Sequence, residues 1–186
     1  AWFYEGFGLY NALKSGVLLN QIRYEDLLDT ISRASGIEKG LGQRFSLIEA
    51  SSNRFAGAET QVYARGLLAA FSCDVLLLQS AKAKTSVDTL LRAVFDSHGP
   101  PAKPVEANPA ILKLMSGYPS LKPVVDNYIN GQQKLDLQAL LDMAGIEERP
   151  EAGPPTFQVK AKLNGGQKAI LDKLGYNSWR KLTQKG

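Results

Sequence analysis

The sequence predicts a mainly α protein with a small α/β appendage at its C-terminus. Three observations lead there. Apolar residues recur at helical spacing through most of residues 1–146. Glycine or Asn-Gly closes most of these stretches. Alternation with period two, the mark of a strand, appears at residues 156–163, after a proline-rich break.

Residues 2–14 read as a helix ending at Gly16, although no Ser, Thr, Asp or Asn precedes it as a cap. Residues 24–35 read as a second helix, with Leu27, Leu28 and Ile31 apolar and Gly36 closing it. Residues 37–45 form a glycine-punctuated loop, and Ser46-Leu-Ile-Glu49 has capping-box spacing that starts a short helical turn. The longest helix is predicted over residues 58–80. Its middle, residues 67–78, is apolar nearly all round except for Ser72 and Asp74, so it should be buried on most sides. Residues 86–97 make another helix, stopped by His98-Gly-Pro-Pro. Asn108-Pro109 offers a capping side chain and then proline at the first helical position. Residues 121–129 and 136–144 are shorter helices, divided by Asn130-Gly131 and ended by Gly145. Residues 147–155 hold three prolines and a glycine and read as a linker. After the strand at 156–163, Asn164-Gly-Gly166 reads as a turn, and residues 167–174 and 178–182 as short helices. The expected domains are a helical unit at 1–148, a linker at 149–155 and a basic appendage at 156–186, free to pack on the body.

The 186 residues suffice for one domain with a small addition, and 44% hydrophobic with 22% charged residues allow a sizeable core. The single cysteine, Cys73, excludes an internal disulfide framework; in its apolar run it should be buried and inert. No signal peptide and no membrane span is predicted, because the apolar stretches fall short of the roughly 18 residues a span needs. A reducing cytosol and a bacterial periplasm both stay open. Residues 157–186 carry seven Lys or Arg against Asp172 alone, so the net +4 of the chain is concentrated there. That tail reads as a solvated basic face without a nucleic-acid motif, and no nucleic-acid partner is expected.

One carboxylate stands out. Glu5 lies within Ala-Trp-Phe-Tyr-Glu-Gly-Phe-Gly-Leu-Tyr and, at helical spacing, shares a face with Trp2, Gly8, Leu9 and Ala12. A charge on an apolar face is costly unless it is paired or binds a metal. The first cations along the chain are Lys14 and Arg23, too far along the helix to serve. Its partner must come from elsewhere in the fold, from a metal, or from a piece outside this chain. A second element, Val62-Tyr-Ala-Arg-Gly66, sits in the long predicted helix.

W-x-x-E-G-F-x-x-Y resembles the segment that follows the H-E-x-x-H helix of gluzincin metallopeptidases, where the glutamate is the third zinc ligand. Y-x-R-G resembles the later Y-x-K-G element of gluzincin aminopeptidases, whose tyrosine stabilises the oxyanion. Phe45-Ser-Leu-Ile-Glu-Ala-Ser51, the long helix with Asp74, and Val125-Asp-Asn-Tyr-Ile-Asn-Gly131 with the stretch after it narrow the likeness to the glycyl-aminopeptidase type. The resemblance covers residues 1 to about 148. It implies the helical C-terminal subdomain of a thermolysin-like catalytic domain, with Glu5 as a zinc ligand and Tyr63 as the catalytic oxyanion donor. There are departures. Arg65 stands where lysine is usual, and residues 156–186 do not look like the PDZ domain common after this catalytic domain. The only histidine is His98, and no H-E-x-x-H occurs. His98 reads as a surface or helix-end residue, and Glu49 as the cap of its own turn.

The expected function is therefore the C-terminal part of a zinc-dependent aminopeptidase that removes N-terminal residues, glycine or alanine by the family's habit, from peptides. Zinc would be held in the intact protein, with two histidines from the missing part. These 186 residues alone are not expected to retain it or to be active. A face holding Trp2, Glu5 and Tyr63 would be left partly open, inviting self-association. The rival expectation is a non-catalytic helical interaction module derived from such a fold, in which Glu5 finds a basic partner within the chain or is exposed.

Overall fold

The computed structural model describes residues 1–149 and 155–177. It is mainly helical, as expected. The chain opens with a π-helical turn, Phe3–Phe7, that runs directly into α1, Gly8–Leu18. Then come α2 (Tyr24–Lys39), α3 (Leu47–Ser52), a 3₁₀ turn at Arg54–Ala56, and α4 (Glu59–Ser80). Next are α5 (Val87–His98) and α6 (Ala107–Ser116). A 3₁₀ turn at Pro119–Leu121 leads through α7 (Lys122–Val124) into a second π-turn, Val125–Ile129. Last are α8 (Leu137–Met143), β1 (Ile146–Glu148), β2 (Phe157–Val159) and α9 (Gly165–Lys173).

The axis of the fold is α4. It touches the first π-turn, α1, α2, α3, α5, α7, α8 and α9. Among the described residues it is the helix long and apolar enough to cross a membrane, yet 89% of that apolar window is buried inside the protein. Its hydrophobicity is consumed by the core, which gathers Leu67, Leu68, Phe71, Val75 and Leu78 against Tyr10, Leu28, Ile31 and Leu141. Cys73 is buried there, and burial pushes its thiol well up, as an inert core cysteine requires.

The appendage packs on the body. β2 pairs antiparallel with β1, Ile146 opposite Val159 and Glu148 opposite Phe157. Gln167 Nε2 donates to the Asp142 carbonyl at 2.8 Å, and α9 lies against α4. Much of the expected linker (150–154) and the expected last helix (178–182) lie outside the described residues, as do Arg180, Lys181 and Lys185 of the basic tail.

Several expectations are corrected. Gly16 and Gly36 do not end their helices; α1 continues to Leu18 and α2 to Lys39. Gly16 backs onto Ile22, whose Cγ1 would lie 3.2 Å from an added Cβ, so this glycine serves packing. Asn108 does not cap α6. Its Oδ1 is taken by the indole N–H of Trp2 at 2.9 Å. Asn164-Gly-Gly166 is the start of α9, with Asn164 Oδ1 accepting from Gln167 N in a capping box. The capping box at Ser46 and Glu49 forms as predicted, with bonds of 2.8 and 3.1 Å.

The first π-turn is seated by two glycines. A Cβ on Gly6 would lie 2.2 Å from the carbonyl carbon of Gly66, and one on Gly66 would lie 3.0 Å from Gly6 Cα. The backbones of the π-turn and α4 are thus in direct contact. Gly6→Ala is expected to destabilise by about 3 kcal/mol, the upper end for overpacking, since backbone cannot move aside as a side chain can. Gly8 meets nothing within 4 Å and is exposed, so Gly8→Ala is expected to stabilise by about 0.5–1 kcal/mol. Urea unfolding of both variants checks the pair.

Candidate functional site

The glycine contact sets Glu5 beside the first turns of α4. The lower part of α1 and the π-turn bury Trp2, Gly6, Phe7, Tyr10, Lys14 and Val17. Gly8, Leu9 and Ala12, expected to share an apolar face with Glu5, lie on the exposed side. The π-turn accounts for the difference, because its wider winding rotates every later residue relative to an α-helix. Glu5 therefore sits at the margin of the buried face, about one-seventh exposed.

Its partner is Arg54, on the 3₁₀ turn. Arg54 Nη1 lies 2.5 Å from Glu5 Oε1, and Nη2 donates to the Tyr63 hydroxyl at 3.2 Å and reaches Glu59 Oε1 at 3.5 Å. The guanidinium also lies 5.6 Å from the centre of the Tyr63 ring. The structure thus brings Glu5 and Tyr63 to one cation. The Tyr63 hydroxyl, then the Arg54 guanidinium, hold the Glu5 carboxyl below its usual range against the opposing effect of desolvation. The Tyr63 hydroxyl and the Glu5 carboxylate share the Arg54 guanidinium. Proximity to Glu5 raises the phenol in turn, and desolvation adds to this.

Two other stretches singled out in the sequence lie nearby. Ser51 Oγ accepts the Trp2 N–H at 2.9 Å, supplying from α3 the cap that the first helix lacks in sequence. Gln132 Nε2 donates to Glu49 Oε2 at 3.2 Å, tying α3 to the segment after the second π-turn. Arg65, two residues and about half a turn beyond Tyr63 on α4, is fully buried and faces away from the site. It donates to the carbonyls of Phe45, Tyr128 and Gln133, stacks 4.2 Å from the Tyr128 ring centre, and approaches Glu38 Oε1 at 3.4 Å. It is a bolt between α2, α4 and the second π-turn. Burial raises the Glu38 carboxyl, with Arg65 opposing.

Arg54 is the residue that sequence reasoning missed. It is the only Lys or Arg between Arg44 and Arg65, in the short turn between α3 and α4 that leads to Tyr63. That position was the available signal. The expectation that Trp2 would be open is corrected: it is fully buried. The exposed aromatics here are Tyr4 at 82% and Phe55 at 96%, the latter stacked with Arg54 at 5.4 Å. Among the described residues no three His, Cys, Asp or Glu gather where a metal could be held. His98 is exposed at the end of α5.

Against known protein families, curated proteins and solved structures, the chain gives no match.

Proposed function

We propose that the chain is the helical, thermolysin-like C-terminal part of a zinc-dependent aminopeptidase of the gluzincin, glycyl-aminopeptidase type, acting on the N-terminal residues of peptides. One observation carries the reading. Glu5 and Tyr63, far apart in the chain, converge on a single positive charge at a partly buried edge. A carboxylate and a phenol facing one cation fit the donor set that such a centre takes from this half of the domain. The imidazoles have to come from residues outside these 186, since His98 is the only histidine. Glu5 would hold zinc as one ligand, and the metal would polarise the scissile carbonyl and activate water. Tyr63 would donate its proton as a hydrogen bond to the carbonyl oxygen as charge develops there. A phenol that stays protonated at neutral pH is suited to this, and Glu5 pushes the Tyr63 pKa further up. Arg54 would have to release Glu5, keeping Glu59 as its anchor. The Gly6–Gly66 contact would fix the distance between ligand and donor.

The reading is tested on the intact protein. The coding sequence before Ala1 should encode an in-frame H-E-x-x-H, and the purified protein should carry one zinc. Glu5→Gln is expected to reduce zinc retention, measured as metal per chain after dialysis; full retention would remove Glu5 from the ligand set. A second reading, a non-catalytic interaction module, is favoured by one observation: Arg54 already satisfies Glu5 within the chain. A start codon at Ala1, or a frame with those histidines replaced, would turn the assignment to it.

A further inference from the structure

Beside Tyr63, residues of α1, α2 and α4 border an open groove of about 320 Å³, at the small end of the range for small-molecule sites. Its walls are apolar: Leu9, Ala34, Ile37, Ala64 and Leu67, with Tyr63 closing one side. Arg33 is the one charged residue on the lining. Its Nε donates to the Asp29 carbonyl at 3.3 Å, and among the described residues no carboxylate pairs with it. Arg33 is exposed, and its terminal N–H donors can meet a carboxylate in their planar fork. Arg54, beyond Tyr63, is already committed to Glu5 and Glu59, so an anion in the groove meets no carboxylate on its walls. A second groove of about 290 Å³ beside α8 is lined by both Lys134 and Asp136 and offers no such preference of sign.

We propose that the groove between α1, α2 and α4 binds a small apolar carboxylate, its aliphatic or aromatic body against Ala34, Ala64 and Leu67 and its anionic end on Arg33. This goes beyond the peptidase reading and needs no metal. If that reading also holds, the ligand would be an apolar amino acid or peptide with a free carboxyl end.

The test uses the 186-residue chain, ¹⁵N-labelled, titrated at low ionic strength with N-acetyl-L-leucine and, in parallel, N-acetyl-L-leucinamide. The acid should shift the amide signals of Thr60, Tyr63 and Leu67 and bind tighter than the amide by about 1.4- to fivefold, the range for an exposed ion pair. Arg33→Gln should bring the acid down to the affinity of the amide. Thr60→Phe, at an exposed lining position, should fill the groove and abolish both. Equal binding of acid and amide by the unaltered chain, shifts that map elsewhere, or an acid preference that survives Arg33→Gln would each overturn the proposal. Binding of neither compound at millimolar concentration would overturn it too. None of these outcomes bears on zinc or hydrolysis, so the peptidase assignment stands or falls separately.

Discussion

Replacing Asp74 by alanine is expected to destabilise the protein by about 3–5 kcal/mol, the cost of stranding a buried charge by removing its partner. Asp74 lies in the middle of α4 with no solvent exposure. It accepts three hydrogen bonds: from the Tyr10 hydroxyl at 2.7 Å, Lys14 Nζ at 2.9 Å and the Val87 backbone N–H at 2.8 Å. Those donors come from α1 and from the first turn of α5, so one side chain joins three helices. Lys14 keeps a second bond to Asp88 at 2.7 Å, but Asp88 is half exposed and holds the ammonium only at the rim. The double variant Lys14→Met/Asp74→Leu would remove both charges, which in other proteins is often neutral. Here recovery should be partial, because the Tyr10 hydroxyl and the Val87 N–H would still lose their acceptor, at about 1–3 kcal/mol for a buried unpaired group. Urea unfolding of the three proteins measures this; an Asp74→Ala variant within about 1 kcal/mol of wild type would show that the network is idle.

The same network contributes to the alkaline limit, alongside the buried Cys73, Tyr24 and Tyr128, which burial also raises. Burial raises the Tyr10 phenol well above its ordinary value, and the Asp74 charge adds to this. For Lys14 burial pulls the other way, but Asp74 and Asp88 together outweigh it, and its pKa is raised. Both groups hold their proton more tightly in the folded state. Their contribution is complete below the unfolded values near pH 10 and is lost as pH rises through the folded ones. Stability should be level through neutral pH with respect to these groups and fall above about pH 10. In Lys14→Met that fall should be shallower.

Much of the fold was legible because its signals are local. The capping box at Ser46, the long apolar α4 and the left-handed Gly145 (φ +72°) after α8 are each read within a few residues. What was misread depends on distant partners. Gly16 looks like a stop because glycine usually is one, whereas here it admits Ile22. Asn108 looks like a cap, but the Trp2 indole claims it. β1 has too few residues to show alternation and exists because β2 pairs with it. The candidate site divides in the same way. Glu5 and Tyr63 were visible as residues whose chemistry needed explanation. Arg54 was not, since its meaning arises only when the Gly6–Gly66 contact brings the two elements together.

On the peptidase reading proposed above, Tyr63→Phe in the intact protein is expected to keep the metal and lower kcat by about 2.7–4 kcal/mol of barrier, roughly 10²–10³-fold, as loss of one oxyanion donor does. KM should change little, because the lost bond strengthens only as the carbonyl oxygen gains charge. Structural damage would be a poor explanation of such a loss. Tyr63 is only partly buried, the bond that ends on its hydroxyl comes from Arg54, and that guanidinium retains Glu5 and Glu59. The 186-residue chain supplies a readout independent of turnover. The hydroxyl is the foremost influence lowering the Glu5 carboxyl, so in Tyr63→Phe that carboxyl should titrate at higher pH, seen in its ¹³C shift. The two measurements separate position from role. A raised Glu5 titration with unchanged kcat would keep Tyr63 beside the ligand carboxylate but take the oxyanion from it, leaving Arg54 as the nearest remaining donor.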